Sequence, residues 1–171
     1  MVEIIKYTIP ALIVALTVFV VLNYQYKQQL AKNKLEIMLN NRKTIITLRL
    51  QAYERLILFL ERISPEALIM RTQRPDISVI ELQTMLLKTI RTEFDHNLSQ
   101  QLYVSNNAWE RIRNARENTV KLINEAASQH DPKKPAMHLS KTILEESAGA
   151  SSPTKKAIEF LKSETHAIFS V

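Results

Sequence analysis

Cysteine is absent from the 171 residues, and glycine occurs once, as Gly149. Without cysteine there is no disulfide framework and no thiolate nucleophile, although the absence assigns no redox compartment. A single glycine, against a usual share of about 7%, removes whole classes of site. Loops that cradle phosphate need close backbone approach and positive φ, which glycine supplies. Neither G-x-G-x-x-G nor G-x-x-x-x-G-K-[ST] can be written here, and G-x-S-x-G is equally impossible. Nucleotide binding by those loops and a hydrolase nucleophile elbow are therefore excluded. Aromatic residues make up only 6% of the chain. Alternating strand-like runs and internal repeats are missing as well. The abundant residues (Leu, Ile, Ala, Glu, Lys, Gln) are helix formers, so the composition predicts an all-α fold.

One long apolar run is present. Ile4 to Leu22 reads IIKYTIPALIVALTVFVVL, with Lys6 its one charge. Nineteen residues at helical rise cover about 28 Å, near the hydrocarbon thickness of a bilayer. Leu22 is followed by Asn23, Tyr24, Gln25, Tyr26 and Lys27, not by the small residues of a signal-peptide cleavage site. Pro10 is tolerable near a transmembrane helix end, and Tyr7, Tyr24 and Tyr26 sit where interfacial aromatics belong. The sequence thus predicts one N-terminal transmembrane helix followed by a small cytoplasmic helical bundle. The expected divisions are an anchor over 1–23, a basic juxtamembrane stalk over 24–44 and a helical domain over 45–171.

Charge orients this arrangement. The formal net charge is +6, and residues 1–43 hold six Lys/Arg against two acids. Lys27, Lys32, Lys34, Arg42 and Lys43 form a collar suited to anionic headgroups, worth roughly 1 kcal/mol per residue near the surface. With Arg49 counted against Glu36, the flank after the apolar run carries net +5. Positive flanks stay inside, so the N-terminus is expected in the periplasm and the rest in the cytoplasm of a bacterial inner membrane. A ribosome or nucleic-acid tether through this collar is the alternative use. The lack of interleaved aromatics there argues against nucleic acid.

Beyond Asn40-Asn41, where the helix is expected to fray, Ile46, Leu50, Tyr53, Ile57 and Leu60 recur at helical spacing, broadened by Leu56, Phe59 and Ile63. Ser64-Pro65 ends this helix and starts another. Ser78 and Glu81 write a capping box before a helix expected to reach Tyr103, with Leu82, Leu86, Ile90, Phe94, Leu98 and Leu102 on its apolar face. Ser105 or Asn106 caps the next, carrying Trp109, Ile112, Thr119, Val120, Ile123 and Ala127. Asp131–Pro135 reads as a loop, Met137, Ile143 and Leu144 mark a shorter helix, and Gly149–Pro153 is a joint before a last helix with Ile158, Phe160, Leu161 and Ile168. Prolines 65, 75, 132, 135 and 153 would interrupt an extended rod, which favours a bundle.

Candidate chemistry is sparse. Glu93 and His96 make E-x-x-H, the helical spacing of di-iron bundles, so a metal-dependent or hydrolytic enzyme centred on them is one alternative. A second E-x-x-H is missing, and His130, His138 and His166 are scattered. The sequence therefore predicts no enzyme, no cofactor and no small-molecule substrate. Arg49, Arg55 and Arg62 form a charged face on the first cytoplasmic helix and are the expected contacts for a protein partner. Arg71, Arg74, Arg111, Arg113 and Arg116 are further candidates.

The stretches LRLQAYERLILFLERISPEALIMR (48–71) and TIRTEFDHNLSQQLYVSNNAWERIRNARE (89–117), with the IIKYTIPAL start, resemble a family of uncharacterised membrane-anchored proteins from Bacteroidota. That resemblance implies a bacterial inner membrane and no assigned activity. The function expected from the sequence is a membrane-tethered helical interaction module, an accessory subunit of a larger inner-membrane complex.

Overall fold

The computed structural model describes residues 2–148 and 152–169, the side chains of residues 2–11, 15 and 169 excepted. Among these residues there are six α-helices, one 3₁₀ turn and no strand: α1 Val2–Arg62, α2 Pro65–Thr72, α3 Val79–Asn97, the 3₁₀ turn Leu98–Leu102, α4 Asn106–Ser128, α5 Ala136–Ser147 and α6 Pro153–Phe169. The all-α expectation holds. The chain forms two compact units, Met1–Thr47 and Leu48–Val171.

In the first unit α1 runs unbroken through Asn40-Asn41, contrary to the expected fraying. Asparagine costs only about 0.7 kcal/mol against alanine in a helix, and no glycine or proline adds to it. Thr44 and Thr47 hydroxyls also donate to the Asn40 and Lys43 carbonyls, at 3.0 and 3.1 Å. Among the described residues no helix is long and apolar enough to cross a membrane. Residues 4–11 and 15 of the apolar run lie outside the described side chains. From Leu12 to Leu22, the described side chains are all exposed.

In the second unit the start signals read from the sequence operate as local chemistry. Ser64 is extended, its hydroxyl accepts from the Ala67 amide, and Pro65 opens α2. The Ser78 hydroxyl accepts from the Glu81 amide at 3.4 Å, while the Glu81 carboxylate accepts from the Ser78 amide at 2.8 Å. Ser105, not Asn106, caps α4 by accepting from the Ala108 amide at 3.0 Å. The first turn of α3 is closed from outside. Val79 and Ile80 amides donate to the Lys134 and Pro132 carbonyls at 2.9 and 3.2 Å, and the Ala136 amide donates to Ile77. Donors that a helix start leaves without partners are thus satisfied by the 131–135 loop.

The Ser78 hydroxyl, which donates to the Glu81 carboxylate at 2.6 Å, and then the Ser78 amide hold the Glu81 carboxyl below its usual range. The stabilisation from a depressed carboxyl is complete above its unfolded-state pKa and is lost as pH falls through the lower folded value. Ser78→Ala should cost about 1 kcal/mol. Amide exchange at the start of α3 should quicken in the variant. In the wild type the same amides should lose protection as the pH falls below the ordinary carboxylate range.

The core is built by Tyr53, Leu56, Phe59 and Leu60 of α1, Ile63 just beyond it, Leu82, Leu86, Ile90 and Phe94 of α3, Ile112 and Ile123 of α4, Leu139 and Ile143 of α5 and Leu161 of α6. Several expected apolar positions lie outside it. Ile46 and Leu50 are exposed, and the buried stripe of α1 begins at Ala52. Leu98 and Leu102 are exposed as well. Each four-residue step advances about 40° round a helix, so a strict four-residue spacing drifts off any one face. The α-helix also stops at Asn97 rather than Tyr103, and the chain tightens into the 3₁₀ turn. On α5, Met137 and Leu144 face out, and Ala136, Leu139, Ser140 and Ile143 face in. Small residues escaped the sequence reading: Ala108, Ala115 and Ala126 are buried on α4. Trp109 is half-buried, stacked on Phe94 at 5.6 Å between ring centres. The expected joint before α6 falls on residues 149–151, which lie outside the described residues.

Candidate functional site

Arg55 and Arg62 are seven residues apart on α1 and therefore share one face. On α3, Lys88, Thr92 and His96 follow one another at four-residue steps, with Glu93 and Asn97 alongside. Packing of α1 against α3, seen in the Phe59–Phe94 ring contact at 5.9 Å, brings the two faces together. Two hollows result. One, of 440 Å³, is lined by Arg62, Lys88, Thr89, Thr92, Glu93 and His96. The other, of 260 Å³, is lined by Arg55, Leu58, Phe59, Arg62, Glu93, His96 and Asn97. They share Arg62, Glu93 and His96, so together they make one groove.

Glu93 is the fixed point of this groove. Its side chain keeps only 14% of its surface, and one carboxylate oxygen meets Arg62 Nε at 3.4 Å and Arg71 Nη1 at 3.3 Å. Arg71 also donates through Nη2 to the Arg62 carbonyl at 2.6 Å, covering an acceptor that the end of α1 leaves open. The lining thus holds three basic side chains, Arg55, Arg62 and Lys88, and one carboxylate already engaged by two guanidiniums. Such a surface is suited to anionic groups. No spacing rule reveals it, because its halves lie some thirty residues apart in sequence.

The sequence-derived candidates divide accordingly. Arg55 and Arg62 line the groove, whereas half-buried Arg49 donates through Nε to the Tyr103 carbonyl at 3.1 Å. The two residues of E-x-x-H meet in the groove, with Glu93 in contact with arginines. Among the described residues no group of three or more His, Cys, Asp or Glu gathers to hold a metal ion. Arg111 lies over the Phe160 ring and Arg116 over Phe94, both at 4.3 Å, and Arg113 faces Glu117 at 4.0 Å. Arg74 is exposed beyond α2. Lys27, Lys32, Lys34, Arg42 and Lys43 are exposed along α1 in the first unit. His130 and His138 approach to 6.1 Å between ring centres, and His130 Nε2 lies 2.8 Å from the Thr142 hydroxyl.

A second polar cluster was not foreseen. Tyr53 of α1 is 1% exposed, and its hydroxyl has no partner in hydrogen-bond geometry, nor has one buried oxygen of Glu164 on α6. Burial, reinforced by the nearby Glu164 charge, raises the Tyr53 pKa, while Arg49 and the Ser105 backbone oppose the rise. We attribute the upward direction to burial, since the hydroxyl and carboxylate sit close without closing a bond.

No curated protein and no solved structure matches this chain. One family does, over residues 1–168, and by that match the chain belongs to the family of unknown function DUF7935.

Proposed function

We propose that this protein is a membrane-tethered helical interaction module, an accessory subunit of a larger inner-membrane complex, with its N-terminus periplasmic and its bundle cytoplasmic. The observation that carries the tether is the apolar surface of α1. Leu12, Phe19 and Leu22 are 68%, 65% and 58% exposed, and Val14, Leu16, Val18, Val20 and Val21 are exposed with them. Contiguous apolar surface of this kind marks a contact with lipid or protein. The basic flank over 27–49 supports the orientation. The groove of Arg55, Arg62 and Lys88 supports docking rather than chemistry, since its one acid, Glu93, is held by two arginines.

Solubilising native membranes in mild detergent and identifying co-purifying chains tests the subunit role. The expected result is a defined complex with a stoichiometric partner; recovery of this chain by itself would overturn it. A reporter active only in the periplasm, fused after Val171, should stay silent.

A further inference from the structure

The two hollows of the groove between α1 and α3 differ in their lining. Lys88, Thr89 and Thr92 line one hollow, Arg55, Leu58 and Phe59 the other, and the Arg62–Glu93 pair stands where they join. Leu58 is 60% exposed there, an apolar side chain beside guanidiniums. A lone ion would need one point of convergence, but here the cations are spread over both hollows. At the junction the Glu93 carboxylate is taken up by Arg62 and Arg71, while Arg55 and Lys88 are left on either side to attract negative groups.

We propose that this groove docks an acidic segment of a partner protein. The segment places carboxylates against Lys88 at one end and Arg55 at the other. It carries one apolar side chain against Leu58. This rests on the reading of the chain as an interaction module and adds the partner's chemistry to it. Exposed Leu58 beside Arg55 favours a protein segment over nucleic acid, whose phosphate edge offers it no apolar partner. Acidic complementarity of this kind governs encounter and register more than raw affinity, so binding should be salt-sensitive.

The test uses the full chain in nonionic detergent and a fluorescein-labelled peptide with two glutamate runs flanking a central leucine. Fluorescence anisotropy should show saturable binding that weakens on the order of tenfold in R55E/K88E. Both positions are exposed, so helicity and melting should be preserved in that variant. Leu58→Ala, or removal of the peptide's leucine, should weaken binding by about threefold to tenfold, as expected for loss of a small apolar contact. Absence of saturable binding, or equal binding to R55E/K88E, would overturn the proposal. So would full displacement by pyrophosphate or a single-stranded oligonucleotide together with indifference to Leu58→Ala, which would mark a plain anion site. Co-purification from membranes separates the two readings. A partner retained by R55E/K88E, when the peptide does not bind, would sink the groove and leave the module standing.

Discussion

Phe59→Ala is expected to produce the largest loss of stability of any single truncation considered. The ring is 1% exposed and packs against Phe94, itself stacked on Trp109 and covered by Arg116. Its removal leaves a void bordered by residues already fixed on α3 and α4, so little collapse is open to the site. Truncations of this type cost about 3–5 kcal/mol. The melting temperature should fall by on the order of 10 °C or more. Trp109→Ala supplies the contrast. That ring is half-buried, so its loss should cost about half as much. Equal melting shifts for the two variants would show that the ring stack, rather than burial of Phe59, sets the cost.

Deleting residues 2–22 is expected to change where the protein is found rather than how its bundle folds. With the apolar run, the chain should remain in the membrane pellet after alkaline carbonate extraction. Without it, the chain should appear in the supernatant, with melting of the Leu48–Val171 unit unchanged. That outcome follows from the proposed tether, because an inserted apolar helix would bind bilayers far more firmly than a basic collar contributing about 1 kcal/mol per residue. Retention of the deleted form in the pellet would move the attachment to Lys27–Lys43 or to a protein partner.

The two experiments draw on features of different legibility. Helix starts were readable because a cap is local chemistry. Ser64-Pro65, Ser78 with Glu81, and Ser105 each act within a few residues, and each is found at work. Positions of burial were readable where spacing alternated between three and four, as from Tyr53 to Ile63. They were misread where four-residue steps continued too far, at Leu98 and Leu102. Ala108, Ala115 and Ala126 were missed because a small side chain gives no hydropathy signal, though it permits close helix approach. The persistence of α1 through Asn40-Asn41 was missed because two weak residues are outweighed by cooperative propagation on both sides. The groove was half legible. Arg55 and Arg62 were identified as a face, and Glu93 and His96 as a pair, but only the packing of α1 on α3 sets them opposite each other. The Tyr53–Glu164 approach joins α1 to α6 across more than a hundred residues, and no pattern in the sequence encodes it.

The 131–135 loop bears on the order in which the second unit is built. Val79 and Ile80 give their amides to carbonyls roughly fifty-five residues later in sequence. Joining points so far apart costs chain entropy on the order of 3–4 kcal/mol before any contact repays it. The opening turn of α3 is therefore expected to be completed late, once α4 has reversed the chain and brought Pro132–Ala136 alongside. In the folded protein the amides of Val79 and Ile80 are held by carbonyls of the loop that leads into α5, so their solvent exchange is expected to follow opening of that loop as well as of the α3 cap.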